Sequence, residues 1–199
     1  MDYLERSFEK DNIAIAYVYC SYKEQENQSA INLIASLLKQ LVQTNPVITE
    51  KIISLYQSHM KKQTRPTLIE YANLLQSEVR RFSKVFIIIA ALDECSESNG
   101  TRDNFLAEIR KLQPTIHLLV TSRHIEIIER AFKNAARLEI RASDEDVRKY
   151  LECRIASESQ LVRHVEKDST LQVTIINAIV EKAKGMYVLV ILRTACLLW

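Results

Sequence analysis

Only two glycines, Gly100 and Gly185, occur among the 199 residues, and that scarcity excludes more than any motif reveals. A G-x-x-x-x-G-K-[ST] loop or a G-x-G-x-x-G turn needs glycine, because only a backbone without Cβ can wrap closely around phosphate. Neither motif is present. Cysteine is equally sparse: Cys20, Cys95, Cys153 and Cys196 are far apart, with no C-x-x-C pair and no histidine at metal-ligand spacing. A reduced, cytoplasmic setting therefore fits better than a disulfide framework or a zinc site. The chain also lacks a G-x-S-x-G elbow and an H-E-x-x-H helix, and His59, His117, His124 and His164 are scattered. Each histidine reads as a surface or helix-face residue.

Nor is there an excess of one charge. Twenty-seven basic and 25 acidic residues leave a net +2, which gives no strong pull toward nucleic acid or anionic lipid. Lys61-Lys62 and Arg80-Arg81 read as solvated helix faces. The apolar stretch 187–199 is too short to span a bilayer and is interrupted by Arg193, so no membrane segment is expected. The opening MDYLERSFEKDN carries four acidic residues and no apolar core, unlike a secretory or transit signal. What remains is a composition of 47% hydrophobic and 26% charged residues, close to the globular average and sufficient for a folded core.

Residues 12–20, NIAIAYVYC, are apolar and β-branched and predict a strand buried on both faces. Tyr17, Tyr19 and, on the next strand, Phe86 are accordingly placed in the core. After the polar SYKEQENQ loop, Ile31, Ile34, Leu37, Leu38 and Leu41 recur at helical spacing from Ser29 toward Pro46. Helical patterns follow near 47–60 and 67–82, with Pro66 in the first turn of the second. Residues 84–92, KVFIIIAAL, form the most hydrophobic strand candidate, and Asp93-Glu94 stand at its end. A helix at about 102–112, a strand HLLVTSR at 117–123, a short helix at 124–132 and a short strand at 137–141 come next. Ser143, with Asp146 three residues on, predicts an N-cap for a helix at 144–157. Further helices are expected near 169–184 and 186–198, broken at Gly185. This alternation predicts an α/β fold with a mostly parallel sheet and a helical C-terminal region.

Ligands of open α/β sheets bind at the C-terminal strand ends, where this chain places Asp93-Glu94 and Thr121-Ser122-Arg123. A hydrophobic strand ending in acidic residues suits a Walker B element, in which one carboxylate holds Mg²⁺ and another orients the attacking water. A polar, cationic tip on a neighbouring strand can contact the terminal phosphate. Taken alone, each group also fits a solvated loop. Cys95, beside two carboxylates that disfavour a thiolate, reads as a small buried residue.

The segments AYVYCSYKEQENQS, VFIIIAALDECSE, LLVTSR and EKAKGMYVLVILR resemble the NACHT domains of fungal STAND-class proteins, which often precede ankyrin or WD40 repeats. The resemblance implies an incomplete P-loop NTPase-type sheet at 1–142, followed by a helical region at 143–199. MDYLERSFEK looks like the end of the helix after the Walker A loop, so that loop and its strand are expected to lie outside the chain. By the same resemblance the sheet order would be 5-1-4-3-2, the missing first strand belonging between 117–121 and 137–141, which leaves strand edges open to aggregation or pairing.

The family pattern also places Ala90 where the first Walker B aspartate usually stands. In the alternative register Asp93 is the metal-side carboxylate and Glu94 the base; ALDEC favours the first register. Thr121, Ser122 and Arg123 become the nucleotide-contacting tip. These departures imply a degenerate or truncated module without independent catalysis, needing no cofactor as given and acting through protein partners or self-association. The rival expectation is an enzyme with its Walker A loop upstream in a longer protein, binding ATP or GTP with Mg²⁺. An unrelated α/β scaffold carrying these motifs by coincidence is the third. The C-terminal residues Val188, Ile191, Leu192, Cys196 and Leu198 form an apolar face that could serve as a contact surface.

Overall fold

The computed structural model describes residues 12–45, 47–113, 115–140, 143–168 and 170–183. The expectations for the opening helix end, the break at Gly185, the helix 186–198 and its apolar face lie outside these residues. Two compact units divide the chain, Met1–Lys133 and Asn134–Trp199.

The described residues of the first unit hold three parallel strands in the order β1-β2-β3: β1 (Ile13–Tyr19), β2 (Lys84–Ala90) and β3 (His117–Val120). Ile13 lies opposite Lys84 and Tyr19 opposite Ala90, while Phe86 lies opposite His117 and Ile89 opposite Val120. Three helices separate β1 from β2: α1 (Ala30–Thr44), α2 (Glu50–Lys62) and α3 (Leu68–Val79). One, α4 (Thr101–Lys111), separates β2 from β3, and the short α5 (Glu126–Ala131) follows.

Helix α1 starts at Ser29, whose hydroxyl accepts the Asn32 N–H, and buries Leu33, Ile34, Leu37, Leu38 and Leu41 on one stripe. That stripe packs on β1, α3 and α4. Ala14 and Ala16, fully buried on β1 beneath it, let the helix backbone approach closely. Val85, Ile87 and Ile89 of β2 and Phe105, Leu106 and Ile109 of α4 complete the core. Each of these large buried side chains contributes about 1.5–3 kcal/mol by leaving water. Thr67 and Glu70 form a reciprocal capping box at the start of α3, which places Pro66 before the helix rather than in its first turn.

The sheet departs from the expectation of strands buried on both faces. Burial alternates with period two: Ala14, Ala16, Val18 and Cys20 are buried, whereas Tyr17 is 50% and Tyr19 63% exposed. The other face of β2, with Phe86, Ile88 and Ala90, is only partly covered, and Leu119 of β3 is exposed. An apolar run alone cannot distinguish these cases, because β-branched residues serve on either face. The outer edge of β1 is closed by side-chain amides. Gln40 accepts the Tyr17 N–H at 2.9 Å and donates to the Tyr17 carbonyl at 2.8 Å. Gln28 accepts the Ser21 N–H and donates to the Tyr19 carbonyl, both at 2.9 Å. Two glutamines thus take the place of a neighbouring strand and blunt the edge.

The second unit is helical in its described residues, with α6 (Asp144–Ser157), α7 (Ser159–Lys167) and α8 (Leu171–Ala183). They bury Val147, Leu151, Ile155, Leu161, Ile176, Ile179 and Val180. Ser143 caps α6 as expected, accepting the Asp146 N–H; α7 has no counterpart among the predicted helices. The predicted strand at 137–141 is not formed: residues 137–140 are irregular, with Leu138 82% and Ile140 85% exposed, and Arg141 lies outside the described residues. A strand needs a hydrogen-bonded neighbour, and no described strand pairs with this segment. The fold is α/β, a parallel sheet flanked by helices with a helical C-terminal region. No helix among the described residues is long and apolar enough to cross a membrane.

Candidate functional site

The strand ends β2 and β3 are joined through Thr121. Its N–H donates to the Ile89 carbonyl, continuing the parallel ladder past Val120, and its carbonyl accepts the Leu92 N–H, both at 2.9 Å. Its hydroxyl accepts the Ala91 N–H at 3.0 Å. These bonds hold a sharp turn, in which Ala91 takes a left-handed conformation at φ 54° and Leu92–Glu94 form a single 3₁₀ turn. The predicted strand end at Leu92 is therefore cut back to Ala90. Asp93 and Glu94 leave the sheet on the turn instead of continuing its direction.

That turn aims Asp93 at the tip of the next strand. One carboxylate oxygen accepts the Arg123 Nε–H at 2.5 Å and the other accepts the Arg123 backbone N–H at 3.1 Å. The Asp93 side chain is 4% exposed, whereas that of Arg123 is 72% exposed. Burial pushes the Asp93 carboxyl up, but the two hydrogen bonds from Arg123 and its positive charge outweigh burial and hold it below the usual carboxylate value. The same pair raises Arg123. Glu94 is committed elsewhere: its carboxylate accepts the Tyr22 N–H at 3.1 Å, and its carbonyl accepts from Gln25 Nε2 at 3.0 Å. It thereby anchors the loop after β1. Ser122 turns its hydroxyl to the Arg123 carbonyl.

The structure thus gathers Asp93, Glu94, Thr121 and Arg123 in one place, with Ser122 adjoining, and it gives four of the five a bonding role that sequence did not foretell. Thr121, itself exposed, also holds the acidic turn through its hydroxyl and its carbonyl. Both Asp93 oxygens are engaged by Arg123. No group of three or more His, Cys, Asp or Glu side chains that could hold a metal occurs among the described residues. Ala90, on the partly covered face of β2, brings only a methyl group to the strand end.

Two neighbours escaped the sequence reading. Arg102 of α4 is 4% exposed and pairs with Glu97 at 2.9 Å, placing a buried cation beside the acidic turn. Cys20 and Cys95 are both buried in the core of the first unit. Cys95 is buried, as expected, yet its acidity runs against expectation: the hydrogen bond from Cys20 and the charge of Arg102 lower its pKa in spite of burial. The carboxylates of Asp93 and Glu94 act instead on Cys20. A groove of about 420 Å³ runs along the outer edge of β1, lined by Tyr17, Tyr19, Gln28 and Gln40 among others; it contains none of the five candidate residues.

A family model described as nephrocystin 3, N-terminal, matches residues 1–123, more than half of the chain. No curated protein and no solved structure matches it.

Proposed function

The chain belongs to the nephrocystin 3 N-terminal family, and from that premise we propose that it is a NACHT-like module of the signalling-NTPase type that acts through protein contacts and does not turn over nucleotide by itself. The observation that carries this reading is the commitment of both acidic side chains. Asp93 is bound at both oxygens by Arg123, and Glu94 is bound by the loop after β1. A metal-binding carboxylate and a general base need lone pairs aimed at the ligand; here both Asp93 oxygens face Arg123, and one Glu94 oxygen faces the Tyr22 N–H. The 199 residues also contain no glycine-rich phosphate loop, which in this class supplies most of the grip on the nucleotide.

Equilibrium titration of the chain with fluorescent ATP and Mg²⁺ tests the reading. No saturable binding is expected, and micromolar affinity would overturn it. Sedimentation of the same sample tests the contact role, with self-association or capture of a protein partner expected.

A second reading is favoured by one observation, the meeting of Asp93-Glu94 and Thr121-Ser122-Arg123 at the C-terminal ends of adjacent parallel strands. Here the chain is part of a nucleotide-dependent switch in a longer protein that supplies the Walker A loop upstream, and ATP or GTP with Mg²⁺ is the ligand. Arg123 would then exchange Asp93 for a phosphate, freeing the carboxylate for the cation. A version extended upstream would bind nucleotide, and Ala90→Asp would raise its turnover. Unchanged turnover in that variant, with binding intact, would leave Asp93 as the metal-side carboxylate.

A further inference from the structure

The groove of about 420 Å³ beside β1 is lined only by β1 itself and by residues 27–43, so the strand edge forms one wall and α1 with its leading loop the other. The Cys20 N–H donates to the Ala90 carbonyl of β2, whereas the backbone groups of Tyr17 and Tyr19 turn away from β2 into the groove. At this edge two side chains imitate a strand. Gln40 accepts the Tyr17 N–H and donates to the Tyr17 carbonyl, the double exchange that a residue of an antiparallel partner strand makes. Gln28 bridges the Ser21 N–H and the Tyr19 carbonyl. A carboxamide can stand in for a peptide group because it carries the same acceptor and donor. It can also leave: the Gln40 amide nitrogen lies 3.2 Å from the Ser36 carbonyl, which gives it a partner once the edge is taken. Lys39, exposed on α1, is the only charged residue of the lining.

We propose that this groove takes an extended, acidic segment of a protein partner, which displaces Gln40 and Gln28 and adds to β1 as a further strand, a site that rests on the protein-contact reading and gives it a surface. Main-chain hydrogen bonds to Tyr17, Tyr19 and Ser21 supply the affinity, as in other strand additions beside a helix. An acidic side chain of the segment meets Lys39, and the amides and hydroxyls of Asn32, Ser36 and Gln43 solvate its neighbours. From Tyr17 to Ser21 the edge runs about 13 Å at the rise of a strand, so about five residues of the segment are held. A second copy of the chain suits the groove less well. Its own β1 carries the same two glutamines, so joining two edges releases both pairs of caps, whereas an extended segment releases one pair and brings unpaired backbone groups of its own.

The probe is a phage-displayed library of random peptides about seven residues long, selected on the full chain, with the enriched sequences resynthesised and titrated by fluorescence polarisation. Enrichment of acidic sequences is expected. Gln40→Ala, which frees the Tyr17 groups in advance, should tighten these peptides about five- to tenfold. Tyr17→Pro removes an edge N–H while leaving the bonds to β2 in place, and should weaken them about tenfold or more. Lys39→Glu should weaken them as well, by an amount that shrinks as salt is added. Peptides N-methylated at successive positions should lose binding at alternate residues only, a readout on the unaltered chain that holds even if Tyr17→Pro fails to fold. The proposal is overturned if no sequence is enriched on either the wild-type chain or Gln40→Ala, or if the enriched peptides bind Tyr17→Pro unchanged and tolerate N-methylation throughout. That last result moves the contact elsewhere and leaves the protein-contact reading standing, since the nucleotide titration tests it separately.

Discussion

Ala91 is the residue on which the geometry of the acidic turn depends, and replacing it with glycine should stabilise the chain. Its φ of 54° puts an L-residue in the left-handed region, where the contact of Cβ with the following carbonyl costs about 1–2 kcal/mol. Glycine has no such contact, but it adds about 0.5–1 kcal/mol of unfolded-state entropy. The difference predicts a net gain of about 0.5–1 kcal/mol for Ala91→Gly. The preceding residue is an internal control: Ala90 lies in β2 with ordinary strand backbone, so Ala90→Gly carries only the entropic loss and should destabilise by about 0.5–1 kcal/mol. Urea unfolding reads both. With a slope of about 2 kcal/mol per molar urea, the midpoint rises by about 0.25–0.5 M for Ala91→Gly and falls by a similar amount for Ala90→Gly. Comparing the two variants cancels most of the unfolded-state contribution and isolates the left-handed strain. If Ala91→Gly lowers the midpoint as far as Ala90→Gly does, Ala91 carries no strain and the reasoning fails.

The Asp93–Arg123 pair should show a coupling of only about 0.5–1 kcal/mol in an Asp93→Asn/Arg123→Ala double-mutant cycle, because Arg123 is largely exposed and water screens such pairs. Since the folded-state Asp93 pKa is depressed, that contribution is present above the unfolded aspartate pKa and is lost as pH falls through the folded one; a coupling that survives full protonation would refute the assignment. Glu70, lowered to about 2 by the Thr67 backbone and hydroxyl and by His59, should likewise stabilise α3 above about pH 4.5 and lose its effect as pH falls toward 2, so Glu70→Gln should flatten the stability profile in that window. Gln28→Ala with Gln40→Ala uncovers the outer edge of β1 and should raise self-association in sedimentation velocity; an unchanged distribution would show that the amide caps do not guard the edge.

Much of the fold was legible because its signals are local. The Leu37, Leu38 and Leu41 stripe of α1, the Ser143 cap of α6 and the KVFII run of β2 each follow from spacing or hydrogen-bond chemistry within a few residues. The Thr67–Glu70 capping box was equally available in the sequence and marks the α3 start better than Pro66 does. Errors arose where a neighbour decides the outcome. Residues 137–140 carry alternating apolar side chains suited to a strand, but a strand is a relation between two segments, and no described strand pairs with this one. The apolar character of their strand places Tyr17 and Tyr19 inside, yet coverage of the second face depends on what packs there, and both are exposed.

The candidate site separates in the same way. That Asp93, Glu94, Thr121 and Arg123 would meet follows from a general rule about parallel strands, and it required only that two strands be recognised and be adjacent. What those groups do to one another could not be read from residue type. A carboxylate at a strand end looks alike in sequence whether it awaits a cation or is held by an arginine. Here the difference lies in a left-handed alanine: by turning the chain at residue 91 it swings Asp93 away from the line of β2 and onto Arg123, and it carries Glu94 to Tyr22. One backbone conformation at a non-glycine position therefore sets the partners of both carboxylates, so a residue that resists the left-handed region, as in Ala91→Val, should disturb the ion pair and the Glu94 anchor together, whereas glycine keeps both.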